Sequence, residues 1–166
     1  MSGARIIGID PGSRITGYGV IEAMPAGNRH VASGCIRVAG DDMAGRLHAI
    51  VEGLREVAER HAPAEVAIER VFVNRNVESA LKLGQARGAA LVALPGIPVF
   101  EYAATRVKQA TTGSGKASKS QVQHMVRLLL GLPEAPQADE ADALAVALCH
   151  AHSRDMLARM RPDRTP

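Results

Sequence analysis

This 166-residue chain has no Trp, two Tyr and two Phe, and aromatic residues make up 2% of it. With 46% of its residues hydrophobic all the same, its core must be built from Val, Ile, Leu and Ala. Cysteine is nearly as scarce. Cys35 and Cys149 are the two present, far too few for a disulfide framework and without metal-like partners nearby, so they read as small apolar fillers in a reduced compartment. No apolar run approaches the roughly 18 residues of a membrane span. The stretch after Arg5 is too short for a signal peptide. The expectation is a cytoplasmic protein with no membrane partner. Its length fits one domain of roughly 100–200 residues, large enough to bury a proper core.

Acidic residues are missing from the middle of the chain. Residues 70–127 hold nine Lys and Arg against Glu78 and Glu101, whereas residues 1–69 and 128–166 each carry a net charge of −2. The basic block includes Arg75, Lys82, Lys108, Lys116 and Lys119. Such an uneven field suits a polyanion.

The chain is organised around Arg5–Ser13 (RIIGIDPGS). Ile6, Ile7 and Ile9 read as a strand buried on both faces, ended by Asp10 and turned by Pro11-Gly12. Ile15–Ala23 and His30–Val38 read as two further strands of an antiparallel meander. Apolar positions from Leu47 to Ala58 recur at helical spacing, predicting a helix over 42–61 closed by Pro63. Glu65–Arg70 is a fourth strand, with Glu69 on the face opposite Val66 and Ile68.

A helix follows over 77–94, in which Ala80, Gly84 and Gly88 repeat every four residues. Each helical glycine costs about 1 kcal/mol relative to alanine. Close backbone approach is the compensating gain, either to this domain's own sheet or to a second copy of the chain. Ile97–Tyr102 is a fifth strand and Ala103–Ala110 a short helix. Thr111–Ala117 (TTGSGKA) looks flexible. Its Gly-Ser-Gly-Lys fails as a phosphate loop, because Ala110 stands at the first glycine and Ala117 where Ser or Thr must hold the metal. Ser118-x-x-Gln121 is a capping box opening a helix to Leu130. Lys119 lies in its first turn, where a cation opposes the helix dipole. The last helix is expected over 139–154, dividing a 1–154 domain from a disordered 155–166 tail.

Asp139 and Asp142, spaced i, i+3, project from one face of that last helix, with Glu140 pointing elsewhere. Acids at a helix N-terminus also cap it, for about 0.3–1 kcal/mol each. Capping leaves unexplained an acid at the end of the first strand and another on the fourth. If strands one and four are neighbours, Asp10 and Glu69 face each other and repel unless a cation or proton lies between them. Carboxylates without a His or Cys cluster favour Mg²⁺, with Mn²⁺ the usual substitute. Two such ions about 3.5–4 Å apart can clamp the attacking water and leaving oxygen of a phosphodiester. Lys108, Lys116 and Lys119 are available to neutralise the phosphate.

At this point the residues resemble a family. Gly8–Ser13 with Gly17-Tyr18-Gly19, Ile68-Glu69, Ser79–Gly88 (SALKLGQARG), Phe100–Tyr102, Lys119–Met125 (KSQVQHM) and Gln137–Leu144 closely resemble RuvC, the bacterial Holliday junction resolvases, over residues 4–152. The resemblance implies an α/β, RNase H-like fold with a five-stranded mixed sheet flanked by helices. It implies a homodimer that nicks a four-way DNA junction symmetrically, leaving 5′-phosphate and 3′-hydroxyl ends. The family's catalytic acids carry over as Asp10, Glu69, Asp139 and Asp142, holding two Mg²⁺ ions, and some members have His at the last position. Its lysines fall on Lys108 and Lys119, and its junction-centre aromatic falls on Phe72. The basic block, with Arg75 and Lys82, lies where this family meets DNA. The helix bearing Ala80, Gly84 and Gly88 becomes a dimer contact, and the RuvA and RuvB branch-migration proteins are implied partners.

Two rival functions fit less of the chain. Asp10-x-Gly12-Ser13 also resembles the first phosphate loop of actin-type ATPases, but 166 residues leave no room for a second loop and an adenosine site. A junction-binding module that has lost catalysis would not be expected to keep four acids. His150 and His152 read as packing or surface residues.

Overall fold

The chain alternates short apolar runs with helical periodicity, and a computed structural model describes residues 3–71 and 76–160. Three strands come first: β1 (Ala4–Asp10), β2 (Ile15–Met24) and β3 (Gly27–Arg37). Short turns join them, so they pair antiparallel. Helix α1 (Met43–His61) then carries the chain across the sheet to β4 (Glu65–Glu69), and α2 (Val77–Val92) carries it to β5 (Val99–Tyr102). Helical crossovers permit parallel pairing, and β4 lies parallel to both β1 and β5. The resulting order is β3-β2-β1-β4-β5. This is the expected five-stranded mixed sheet, with strands one and four adjacent.

Helices α3 (Ala104–Thr112), α4 (Lys119–Leu130) and α5 (Ala138–Met160) complete the chain. Alternation along β1 feeds two cores. Ile7 and Ile9 pack with Val20, Val66, Ile50, Leu54 and Ala90 beneath α1 and α2. Ile6 packs with Ile21, Ala67, Leu144 and Leu148 beneath α5. Residues 143–150 of α5 are buried without a break, as a helix that is apolar on all sides requires. Among the described residues, no helix is long and apolar enough to cross a membrane.

Several boundaries move from where the sequence puts them. β5 begins at Val99 rather than Ile97, because the Ile97 N–H is drawn back to Leu94 O and Pro98 has none to give. The stretch 111–117 is anchored at both ends: Thr111 and Ala117 are buried, and the Thr111 hydroxyl donates to Val107 O. Helix α5 continues to Met160, beyond the end near Arg154 that the sequence pattern predicts for it. The capping box on α4 forms as read, with Ser118 and Gln121 bonding reciprocally.

Candidate active site

The site begins with three glycines that let a helix lie against bare backbone. A Cβ on Gly8 would meet Ala143 O at 1.9 Å, one on Gly17 would meet Asp139 O at 2.1 Å, and one on Gly19 would strike the Leu144 side chain. Helix α5 therefore rests on β1 and β2 at distances that any larger residue would forbid. Gly17 is the ladder partner of Asp10, so the first turn of α5 settles immediately beside the Asp10 carboxylate. The turn after Asp10 is fixed by Thr16, whose buried hydroxyl donates to Gly12 O and accepts from Gly12 N–H.

From the other side, Ile9 pairs with Ile68, which brings Glu69 of β4 next to Asp10 of β1. Alternation points Glu69 and Asp10 to the face that α5 covers. Asp10, Glu69, Asp139 and Asp142 thus come from three elements that meet at one end of the sheet.

Their electrostatics register the convergence. Burial first, then the charges of Asp142, Asp139 and Glu69, push the Asp10 carboxyl up to about 8 from an ordinary 3.8, with Lys119 opposing. Burial and Asp142 raise Glu69, against the pull of Lys108 and Lys119. Asp142 is raised by burial, and by Asp139 to a lesser extent, against the same two lysines. Lys119 Nζ stands 3.9 Å from Asp142 Oδ2, a long contact between partly exposed groups that screening weakens.

Carboxylates pushed towards protonation by burial and by one another are oxygen donors of the type a hard cation takes. Among the described residues, no three His, Cys, Asp or Glu side chains are gathered closely enough to hold a metal ion as they stand. Hard cations of this kind keep several waters and take one or two carboxylates together with substrate phosphates, so a site need not be closed by protein groups alone.

The expected DNA-facing residues divide. Lys108 and Lys119 act on the acids. Lys116 stands exposed on the loop before α4. Lys82 is occupied by Glu78, 3.0 Å away on the outer surface of α2. Phe72 and Arg75 lie outside the described residues. On α2, a Cβ at Gly84 or Gly88 would have no neighbour within 4 Å among the described residues, so this domain's own sheet does not explain them. His152 is exposed and His150 fully buried.

One support was not legible beforehand. Glu140, the acid that faces away from the site, accepts from the Ser33 hydroxyl of β3 and from the Gln137 N–H, while Arg37 donates to Gln137 Oε1 at 2.5 Å. These bonds tie the first turn of α5 to the sheet edge. A polar residue next to the clustered acids signals such a clasp only once its cross-strand partner is known.

Comparison with known proteins gives consistent matches. The family model described as crossover junction endodeoxyribonuclease RuvC matches residues 6–150. Proteins of that name from Shewanella amazonensis and Shewanella piezotolerans are 56% and 57% identical to the chain, over 93% and 95% of it and 90% and 92% of their own lengths. Among solved structures, Thermus thermophilus RuvC in complex with a Holliday junction substrate superimposes with a TM-score of 0.85 at 39% identity, covering 92% of this chain and 96% of its own. The yeast mitochondrial Holliday junction resolvase Ydc2 shares the fold, with a TM-score of 0.71 at 14% identity over 96% of this chain and 82% of its own. The RNase H-like architecture expected from the sequence is the one found.

Proposed function

Because the chain belongs to the crossover junction endodeoxyribonuclease RuvC family, we propose that it resolves four-way DNA junctions by symmetric, metal-assisted hydrolysis of two phosphodiesters. The observation that carries this reading is the coupling of Asp10 to three further carboxylates from β4 and α5. Burying acids together costs free energy that a fold does not need to spend. A shared divalent ion turns that expense into a binding site.

Asp10, Glu69, Asp139 and Asp142 would hold two Mg²⁺ ions, or Mn²⁺ in their place. Such ions lower the pKa of water and stabilise the leaving oxygen of an in-line displacement. The chain's own contribution is to bring the acids together and aim them, while two lysines temper the push towards protonation that burial imposes. Lys108 and Lys119 favour their charged forms and, with Lys116, offer positive charge to the phosphate. Cleavage of the P–O3′ bond leaves a 5′-phosphate and a 3′-hydroxyl.

Symmetric nicking needs two sites, hence a homodimer. Support for it comes from α2, which exposes Val77, Leu81 and Val92 on a helix whose Ala80, Gly84 and Gly88 leave a shallow surface. Phe72 at the junction centre, Arg75 and Lys82 on the DNA, and the RuvA and RuvB proteins as partners complete the reading.

A nicking assay on a four-way junction and on linear duplex tests it. Wild type should cut the junction alone, and only with Mg²⁺ or Mn²⁺. Asp10→Asn should bind junctions normally and cut them about 10³-fold more slowly. Retained Mg²⁺-dependent cutting by Asp10→Asn would overturn the assignment.

A further inference from the structure

Helix α5 bears two of the four acids and β4 a third, so the site depends on how that helix is placed along the sheet. Its contacts with β1 and β2 run through glycine backbone and apolar side chains. Those contacts fix height well and direction poorly, since dispersion is not directional and hydrogen bonds are. Besides the Glu140–Ser33 clasp of the first turn, a second directional contact lies further along the helix.

His150 is completely buried, and both ring nitrogens are engaged. Nδ1 lies 2.6 Å from the Tyr102 hydroxyl on β5, and Nε2 lies 2.7 Å from Glu65 Oε2 on β4. Arg154, one turn on, donates to the same carboxylate through Nε at 2.7 Å and through its terminal nitrogen at 3.2 Å. Glu65 is thereby held as the acceptor, so the imidazole Nε2 carries the proton and Nδ1 accepts from Tyr102. Burial favours this neutral form of His150 and keeps the proton on Tyr102. The Phe100 ring stacks on the imidazole at 4.2 Å and fixes its plane.

Both ends of this relay bear on the acids. Tyr102 is the ladder partner of Glu69, and its carbonyl accepts the Arg70 N–H at 2.8 Å. Glu65 lies four residues before Glu69 on the same strand, about 13 Å away at 3.3 Å per residue. His150 lies eight residues after Asp142, about 12 Å along the helix. Two hydrogen bonds in different directions, to two strands, set both the slide and the roll of α5.

We propose that His150, held by Tyr102 and Glu65, is a positioning residue that sets the spacing between Asp142 on α5 and Glu69 on β4, and with it the affinity of the site for divalent ions. This rests on the reading of those carboxylates as the metal site. Misplacement by a fraction of an ångström weakens a shared ion far more than it weakens the fold, because the neighbouring contacts are soft and the coordination is not.

The test titrates Mg²⁺ in junction nicking by the full chain, with melting temperature measured on the same samples. Tyr102→Phe removes one hydroxyl, Glu65→Gln weakens the other acceptor, and His150→Leu removes both bonds. His150→Gln retains a donor and an acceptor. Tyr102→Phe and His150→Leu should raise the half-saturating Mg²⁺ concentration about tenfold without changing junction KM. His150→Gln should recover most of that loss. Should His150→Leu not fold, Tyr102→Phe and Glu65→Gln carry the comparison. A wild-type Mg²⁺ curve in these variants, with or without a lower melting temperature, overturns the positioning role alone. Wild-type nicking by Asp10→Asn in the same series removes the metal-site reading and this inference with it.

Discussion

Asp10 is where the demands of fold and chemistry oppose each other most directly. Its carboxyl is pushed up to about 8 by burial and by three neighbouring acids, so without a cation the folded chain holds a proton there that the unfolded chain releases near pH 4. Between those two values the folded state binds more protons, and stability falls as pH rises. In a metal chelator, wild type should therefore lose melting temperature from pH 5 to pH 8. Asp10→Asn should flatten that fall and melt higher than wild type at pH 8, by about 4 °C. Scanning calorimetry at the two pH values checks this, and an equal slope in both proteins would place Asp10 outside the coupled set.

At the scale of the element, α5 depends on what it rests against. Gly17→Ala puts a methyl 2.1 Å from Asp139 O, so the first turn of α5 must lift. Destabilisation of about 3 kcal/mol, with loss of nicking in whatever remains folded, is expected from denaturant melts and the junction assay. The sequence made part of this visible. The isoleucines of β1, the acid closing it and the Ser118 capping box are local signals, and the structure reproduces them. The role of Gly17 and Gly19 was not readable, because what needs their bare backbone is a helix over 120 residues away in sequence. The length of α5 departs from its sequence pattern for another reason. Polar composition after Arg154 predicts an end there, yet polar residues are compatible with a helix and the first breaker in the sequence is Pro162; α5 extends past Arg154 to Met160. His150 could be recognised as apolar-face packing, but its bonds to Tyr102 and Glu65 depend on β5 lying beside β4, which no local pattern gives.

For the whole molecule, the question is what covers α2. Val77, Leu81 and Val92 are each more than 60% exposed, and among the described residues nothing stands over Gly84 and Gly88. Replacing both glycines with alanine should stabilise the isolated protomer by about 1 kcal/mol each through helix propensity. The same change should weaken a dimer packed on that face, so melting temperature and sedimentation would move in opposite senses. Unchanged self-association would mean that a different face pairs.

The most direct measurement of the central claim is calorimetric titration of Mn²⁺ into wild type and Asp10→Asn at pH 8, without DNA. Mn²⁺ should bind to wild type, and the substitution should weaken that binding at least about tenfold. Equal binding by the two proteins would contradict a cation site shared among Asp10, Glu69, Asp139 and Asp142.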